Sequence, residues 1–359
     1  MTIELNVEGA PVEMLDIGDL VVINDSTRKV DDWLIRTFFP NPLGFERKEV
    51  PVGEIKTTTP LAPFVSPKVA GRQIKSDEQG EVFYVKPAYL KPKLTVEPTD
   101  VYDNVLVQLM RQAGYIAMGT NRLTLADKLL VDQAQKYRKL RESIDNRRLL
   151  MARDTLLYGQ TTFASDDFPE YLVDFRRSAA CTFTPAVKWD QANADPVTDI
   201  ERMIEIAVDE GGVSPTVAVM SSKVFGALFK NAKFKEQFIT PYAGISVVAN
   251  DVFTDPLKPQ SRGTFGNIQF WTYDAKFTIG STQDRFIPAD YFALVSDTNG
   301  YVAHCAIQNI KAFGQPLAYF DSQWLVDDPS SLQMMCESSP LIVPDNKNGV
   351  VGGTGFVTI

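Results

Sequence analysis

The range 60–98 constrains the fold more than any other segment, because six of its positions are prolines. Proline lacks a backbone N–H and fixes φ, so a helix here is excluded and any strand must lie at a sheet edge. Two β-rich stretches, Phe64–Ile74 and Glu81–Val96, flank the polar sequence Ser76–Gly80, which is typical of a hairpin tip. A two-stranded ribbon alone is only marginally stable in water. We therefore predict an extended hairpin that needs a partner; the alternative is that it folds back onto its own domain.

The segment Thr124–Tyr158 has the periodicity of one long helix. Its apolar residues recur every three or four positions, Thr124 and Asp127 resemble a capping box, and Gly159 supplies a stop. An interruption near Asp145–Asn146 is an open alternative. Between positions 136 and 153 there are seven basic and two acidic residues, although the whole chain carries a net charge of −9. Six cations form a candidate basic face for a polyanion, with a solvated helix face as the alternative: Lys136, Arg138, Lys139, Arg141, Arg147 and Arg148.

The remaining sequence indicates an α+β protein with two cores. Residues 1–59 are predicted as an N-terminal arm, acidic over its first 32 residues and anchored by the apolar cluster Trp33–Phe39. A mixed unit of strands and helices follows Gly159, with a helix near Asp199–Val208. Residues 345–359 end in a glycine-rich sequence, which predicts a flexible tail.

The sequence offers little for catalysis. It has one histidine, His304, which we interpret as a structural residue, and it lacks the glycine-rich motifs that bind nucleotide phosphates. Its three cysteines are too widely spaced for a disulfide framework or a zinc cluster. We therefore predict no catalytic, cofactor-binding or metal-binding residues. No apolar stretch reaches the length of a membrane span, and the N-terminus does not have the pattern of a signal peptide, so no membrane partner is expected.

Several short motifs, in collinear order, carry a resemblance to a known family. In the first part of the chain they are WLIRTFFP at Trp33–Pro40, FVSPKVAG at Phe64–Gly71, YVKP at Tyr84–Pro87 and KPKLTVEP ending at Pro98. In the second part they are LVDFRRS, Trp189, DPVTDIE, ALF at Ala227–Phe229, HCAIQ, Trp324, DDP and SSPLIV. Together they resemble the major capsid proteins of lambda-like tailed phages, the capsid E family, which have the Hong Kong 97-like fold.

The resemblance implies a subunit of a phage head. It implies an N-terminal arm (1–59), an extended loop (60–98), a peripheral domain (99–188 and 302–344, with a spine helix at 124–158), an axial domain (189–301) and a tail (345–359). The loop would lie across a neighbouring subunit through Phe64, Val65, Lys68, Arg72, Val82, Tyr84 and Lys86.

The partners implied are identical subunits in hexamers and pentamers, together with scaffold, portal and decoration proteins and weakly bound double-stranded DNA. The expected location is the virion capsid, assembled in the bacterial cytoplasm. The alternatives are an encapsulin-like compartment, a cytoplasmic α/β hydrolase that uses clustered carboxylates, and another virion component such as a tail tube protein.

Overall fold

The structure is a computed structural model that describes residues 4–7, 10–13, 32–58, 77–97, 125–165, 168–239, 258–279, 282–296, 300–328 and 330–359. The helices are α1 (Trp33–Phe38), α2 (Leu125–Tyr158), α3 (Pro196–Gly211), α4 (Ser222–Leu228) and α5 (Ala232–Gln237). The strands up to α3 are β1 (Glu4–Val7), β2 (Ala10–Glu13), β3 (Asn41–Phe45), β4 (Val50–Thr58), β5 (Asp77–Val85), β6 (Lys93–Val96), β7 (Gln160–Ser165) and β8 (Phe168–Asp174). The later strands are β9 (Pro215–Met220), β10 (Phe238–Ile239), β11 (Gln260–Phe265), β12 (Ile268–Thr272), β13 (Lys276–Ile279), β14 (Thr282–Arg285), β15 (Phe292–Ser296), β16 (Tyr301–Cys305), β17 (Phe320–Val326), β18 (Ser331–Glu337), β19 (Pro340–Val343) and β20 (Val350–Gly353).

Helix α2 confirms the long helix that the sequence predicts. It runs for 34 residues, about 50 Å at 1.5 Å per residue, and continues through Asp145–Asn146, so the alternative of a break there is wrong. The helix ends where the Gly159 N–H donates to the Thr155 carbonyl at 3.1 Å, with Gly159 at a φ of 67°. Glycine adopts this left-handed conformation without the steric penalty of a Cβ.

A six-stranded sheet separates two apolar cores. Its strand order is β10-β11-β12-β9-β15-β20, with β9 and β12 parallel and the other neighbours antiparallel. Because side chains alternate along a strand, Phe292 and Leu294 of β15 lie in the core formed with α3, α4 and α5. Ala293 and Val295 lie in the other core, with α1 and the C-terminal part of α2. Both faces of β15 are therefore covered by the chain's own residues.

Two three-stranded sheets lie along α2. Strand β16 pairs in parallel with β3 and antiparallel with β19, and β18 pairs antiparallel with β17 and β6. Tyr137, Leu140 and Ile144 of α2 share a core with Leu332 and Met334 of β18. The three-to-four spacing of these helix residues puts them on one face, which packs on this sheet.

A two-stranded ribbon exists, but its two strands are not the predicted pair. Strand β4 pairs with β5 from Val50↔Val85 to Thr58↔Asp77, so Asp77–Gly80 lies within a strand and is not a hairpin tip. The predicted strand Phe64–Ile74 lies outside the described residues. The strand predicted to continue to Val96 instead stops at Val85, because Pro87 and Pro92 have no N–H to continue a ladder.

The prediction of a flexible tail is wrong. Strand β20 is buried and pairs with β15 as the last strand of the six-stranded sheet. A Cβ on Gly352 would lie 2.5 Å from the Ala293 Cβ, so the glycines allow a close approach between strands.

The N-terminal region is more integrated than an arm. Helix α1 buries Trp33, Leu34 and Phe38 in the core that also contains Leu156 and Leu157 of α2. Strand β3 adds to a sheet and β4 forms one side of the hairpin. The predicted apolar anchor at Trp33–Phe39 is thus confirmed, but residues 32–58 belong to the folded body and the hairpin.

Candidate interaction surfaces

The hairpin formed by β4 and β5 is apolar on both faces. At its base Val50, Val52 and Val85 are buried in the core shared with α1 and α2. On the opposite face, Val82 and Tyr84 are 55% and 60% exposed. The hairpin is a separate two-stranded sheet, and no second layer covers its outer face among the described residues. A surface of this kind favours contact with another molecule.

The hairpin carries three of the seven predicted loop contacts. Val82, Tyr84 and Lys86 are all exposed, and the Lys86 carbonyl accepts a hydrogen bond from the Tyr171 hydroxyl of the neighbouring strand β8. The other four predicted contacts fall outside the described residues: Phe64, Val65, Lys68 and Arg72.

The six predicted cations of α2 do not form one exposed face. Arg141 is buried and paired with the Asp321 carboxylate of β17. The Arg148 guanidinium lies 3.0 Å from the Asp145 carboxylate and donates to the Tyr319 hydroxyl at 2.8 Å. These two cations therefore attach the helix to the rest of the fold, which corrects the prediction for them.

The remaining four cations of α2 differ in exposure. Lys136 donates to the Thr95 carbonyl at 2.9 Å, and Arg138 lies 3.6 Å from the Glu142 carboxylate. Lys139 and Arg147 are exposed. Of the six predicted cations, Lys139 and Arg147 are therefore the exposed ones, since helical periodicity places successive positions on different faces.

A cavity of about 510 Å³ lies beside α2. Its lining comes from the segment Ala88–Pro92, from α2 and from Thr162 and Phe163 of β7. The polar lining includes Asp154. Burial raises the pKa of its carboxyl group, and the adjacent Arg153 guanidinium offsets part of that increase. Neither histidine nor cysteine lines it, so the cavity lacks the pairing of a nucleophile with an imidazole base.

His304 is buried in β16 and is not placed as a catalytic base. Burial, and to a smaller degree the nearby Arg148 cation, lowers its pKa to about 4, so the ring is neutral at pH 7. Its Nδ1 makes no hydrogen bond to any described residue. The burial of His304 agrees with its interpretation as a structural residue.

The three cysteines are buried and reduced. Burial raises the pKa of the Cys305 thiol to about 11 and also raises those of Cys181 and Cys336. Thiols in such surroundings are poor nucleophiles because little thiolate forms.

Among the described residues no group of three or more His, Cys, Asp or Glu side chains is arranged to hold a metal ion. No helix in this part of the chain has both the length and the apolar character of a membrane span.

The sequence analysis missed one exposed feature. Ile310 and Phe313, in the connection between β16 and β17, are 91% and 86% exposed. The available signal was two large apolar residues inside the short polar and glycine-containing sequence QNIKAFG. Periodicity could not identify them, because a segment this short has no repeat to read.

Comparison with known proteins agrees with the fold. A solved structure assigned to the capsid of an Escherichia coli CFT073 prophage superposes with a TM-score of 0.69, covering 96% of this chain and 99% of the other, at 18% sequence identity. The chain therefore has the α+β capsid fold that its resemblance to the Hong Kong 97-like proteins implied.

The amino-acid sequence is also similar to those of known capsid proteins and matches the model of one protein family. The chain is 26% identical to the P21 prophage-derived major head protein of E. coli O6:H1 strain CFT073, over 88% of this chain and 92% of the relative. It is 24% identical to the major capsid protein of Escherichia phage lambda, over 92% of this chain and 96% of the relative. The model of the family described as phage major capsid protein E matches residues 20–354. The chain belongs to the phage major capsid protein E family.

Proposed function

We propose that this chain is a major capsid protein whose copies assemble as hexamers and pentamers into an icosahedral phage head around double-stranded DNA. Family membership over residues 20–354 supports this proposal. The observation that carries it in the structure is the exposed apolar face of the hairpin at Val82 and Tyr84. Under this proposal, the chain is a structural protein and not an enzyme.

The exposed apolar face of the hairpin favours contact between copies of the subunit. Its base is fixed in the core at Val50 and Val85, while its outer face needs a second layer to remove Val82 and Tyr84 from water. In a closed shell each copy both offers a hairpin and receives one. Many modest contacts of this kind then hold the shell through multivalency.

The elements divide between two domains of the capsid subunit. Helix α2 and the sheets that contain β16–β19 form the peripheral domain, and the six-stranded sheet with α3, α4 and α5 forms the axial domain. Strand β20 belongs with the axial domain, because it pairs with β15. The predicted boundary of this domain at residue 301 is therefore extended to include residues 350–353.

Packaged DNA is a weak, non-specific partner. The chain's net charge of −9 disfavours general adhesion to phosphates, and Lys139 and Arg147 are the exposed cations of α2 that remain from the predicted basic face. Scaffold, portal and decoration proteins are the other partners, and the shell forms in the bacterial cytoplasm before it becomes part of the virion.

Expression of the chain with its genomic neighbours tests this function. Electron microscopy should reveal shells, and particles made in the presence of the packaging genes should hold nuclease-resistant DNA. Shells that contain an enzyme cargo instead of DNA would favour the encapsulin-like alternative. A monodisperse 40.0 kDa monomer under all these conditions would contradict the proposal.

A paired substitution tests the hairpin. Replacing Val82 and Tyr84 by serine should lower the yield of shells about tenfold, because each apolar side chain removed is worth more than 1 kcal/mol when it is buried. The control is Val208→Ser on α3, which changes another half-exposed valine (45%) at a different surface. Equal shell yields for the hairpin variant and the control would contradict a role for this face.

A further inference from the structure

The turn Asn309–Gly314, which we call the tip, presents two large apolar side chains to solvent. Ile310 and Phe313 are 91% and 86% exposed, more than either apolar residue of the hairpin. Lys311 lies between them and is also exposed. An isolated exposed apolar residue needs no explanation, but two together at the end of a short turn form a compact apolar projection.

The tip has a defined backbone conformation. The Ala312 N–H donates to the Asn309 carbonyl at 3.1 Å, the Phe313 N–H donates to the Ile310 carbonyl at 3.2 Å, and the Asn309 side-chain oxygen accepts from the Lys311 N–H at 3.0 Å. Ala312 is buried in a small apolar cluster with Ile307. The middle of the turn is thus held to the protein while its two large side chains point away.

A buried carboxylate, that of Glu337, is hydrogen-bonded to the first residue of the tip. Glu337 is only 1% exposed, and it accepts hydrogen bonds from the Tyr89 hydroxyl and, at 2.8 Å, from the Asn309 amide. Lys91 lies 3.6 Å away and supplies a balancing charge. The Gln308 N–H in turn donates to the Tyr89 hydroxyl at 3.2 Å. Such a network fixes a turn because each member would lose a partner if the turn moved.

Phe313 has a backbone conformation that its side chain does not favour. Its φ of 50° lies in the left-handed region, which glycine and asparagine adopt far more readily than an aromatic residue. Only Arg176 shares this property among the described residues other than glycine. An aromatic side chain in this position, with almost no contact to its own chain, indicates a use outside the subunit.

We propose that the tip inserts Ile310 and Phe313 into an apolar surface of an adjacent copy of this chain in the assembled shell. The proposal rests on the proposed capsid function, which supplies many copies in contact. The two side chains offer roughly 300 Å² of apolar area, well below the approximately 800 Å² that each partner of a stable interface contributes. The contact is therefore too small to join free subunits and forms only where other contacts already hold them together. The Lys311 cation fits a second copy because the chain is acidic overall.

The Phe313→Gly and Ile310→Ser variants separate assembly from folding. Because glycine accepts the left-handed conformation, the thermal midpoint of free Phe313→Gly subunits should be unchanged or higher than that of the wild type. Shell yield should nevertheless fall about tenfold for each variant. The control is Ile359→Ser, which removes an equally exposed isoleucine (88%) elsewhere. Normal shell yields from both tip variants, or an equal loss in the control, would overturn the proposal.

Thiol labelling identifies the occupant. The native cysteines are buried, so a maleimide should react rapidly with Phe313→Cys in free subunits. In shells that contain only this chain, the rate should fall at least about tenfold, because a neighbouring copy covers the site. An unchanged rate in such shells, or protection only after a second virion protein is added, would overturn the tip contact and leave the capsid function intact. Failure of the wild type to form shells at all would instead reject both.

Discussion

The six-stranded sheet and the hairpin both have apolar side chains on two faces, but they differ in whether both faces are covered. In strand β15, Phe292 and Ala293 point to opposite faces, and each enters a core supplied by this chain. In strand β5, Val85 enters the core but Val82 and Tyr84 remain exposed. The chain's own residues thus cover both faces of β15, whereas nothing among the described residues covers the outer face of the hairpin.

The largest effect should come from opening a cavity in the covered sheet. Phe292 is fully buried, with ring centroids of Trp189 and Phe356 at 4.9 and 5.3 Å. We expect Phe292→Ala to lower the free energy of unfolding of the subunit by about 3–5 kcal/mol. Denaturant titration measures this value. A loss below about 1 kcal/mol would show that the sheet is not the centre of stability and would remove the contrast with the hairpin.

The contact between α2 and β17 should rank second. Arg141→Met leaves the Asp321 carboxylate buried without its cation, and we expect a loss of about 3 kcal/mol in the free energy of unfolding. The double variant Arg141→Met with Asp321→Leu removes both charges and should recover most of that loss. If the single and double variants are equally unstable, packing rather than charge holds the helix at this position.

A pH-dependent effect should arise from His304. Because its pKa in the folded state, about 4, lies below the unfolded value of 6.5, the unfolded chain binds more protons between these values. Stability is therefore fully present above pH 6.5 and falls as the pH drops toward 4, by about 2–3 kcal/mol for this group. Denaturant titrations at several pH values should give a shallower loss for His304→Gln than for the wild type. Parallel curves for the two proteins would contradict this role of the buried ring.

The smallest effect should come from the exposed face of the hairpin. We expect Val82→Ser to change the free energy of unfolding of the free subunit by no more than about 0.5 kcal/mol, since the side chain is already in water. Val52→Ser, on the buried side of the same hairpin (6% exposed), should cost about 1–3 kcal/mol. Thermal or denaturant unfolding of the two variants provides the measurement. Equal losses would mean that Val82 is covered within the subunit.

Patterns that repeat along the chain were predictable from the sequence. The three-to-four spacing identified α2 nearly to the residue, since it persists over many turns. The apolar anchor at Trp33–Phe39 was evident as a local cluster, because five of its seven residues are apolar. The resemblance named Val82 and Tyr84 among the contacts of the extended loop, and both side chains are exposed.

Features set by distant partners were not predictable. The glycines of β20 suggested flexibility, and their role became evident only from the close approach of Ala293. The cations of α2 suggested one basic face, but Asp321 and Tyr319, about 170 residues or more away in sequence, draw Arg141 and Arg148 inward. The partner of β5 was likewise not predictable, because it is Val50–Thr58, a segment that the sequence analysis assigned to the N-terminal arm.

The sequence by itself determined the long helix, the two-core α+β organisation, one strand of the ribbon and the resemblance to the capsid E family, because each depends on local preferences or on order along the chain. Only the tertiary structure decided which cations face solvent, which strand completes the six-stranded sheet and that Ile310 and Phe313 project from a fixed turn. Burial and pairing are properties of neighbours in space, and a linear pattern does not specify which distant residues those neighbours are.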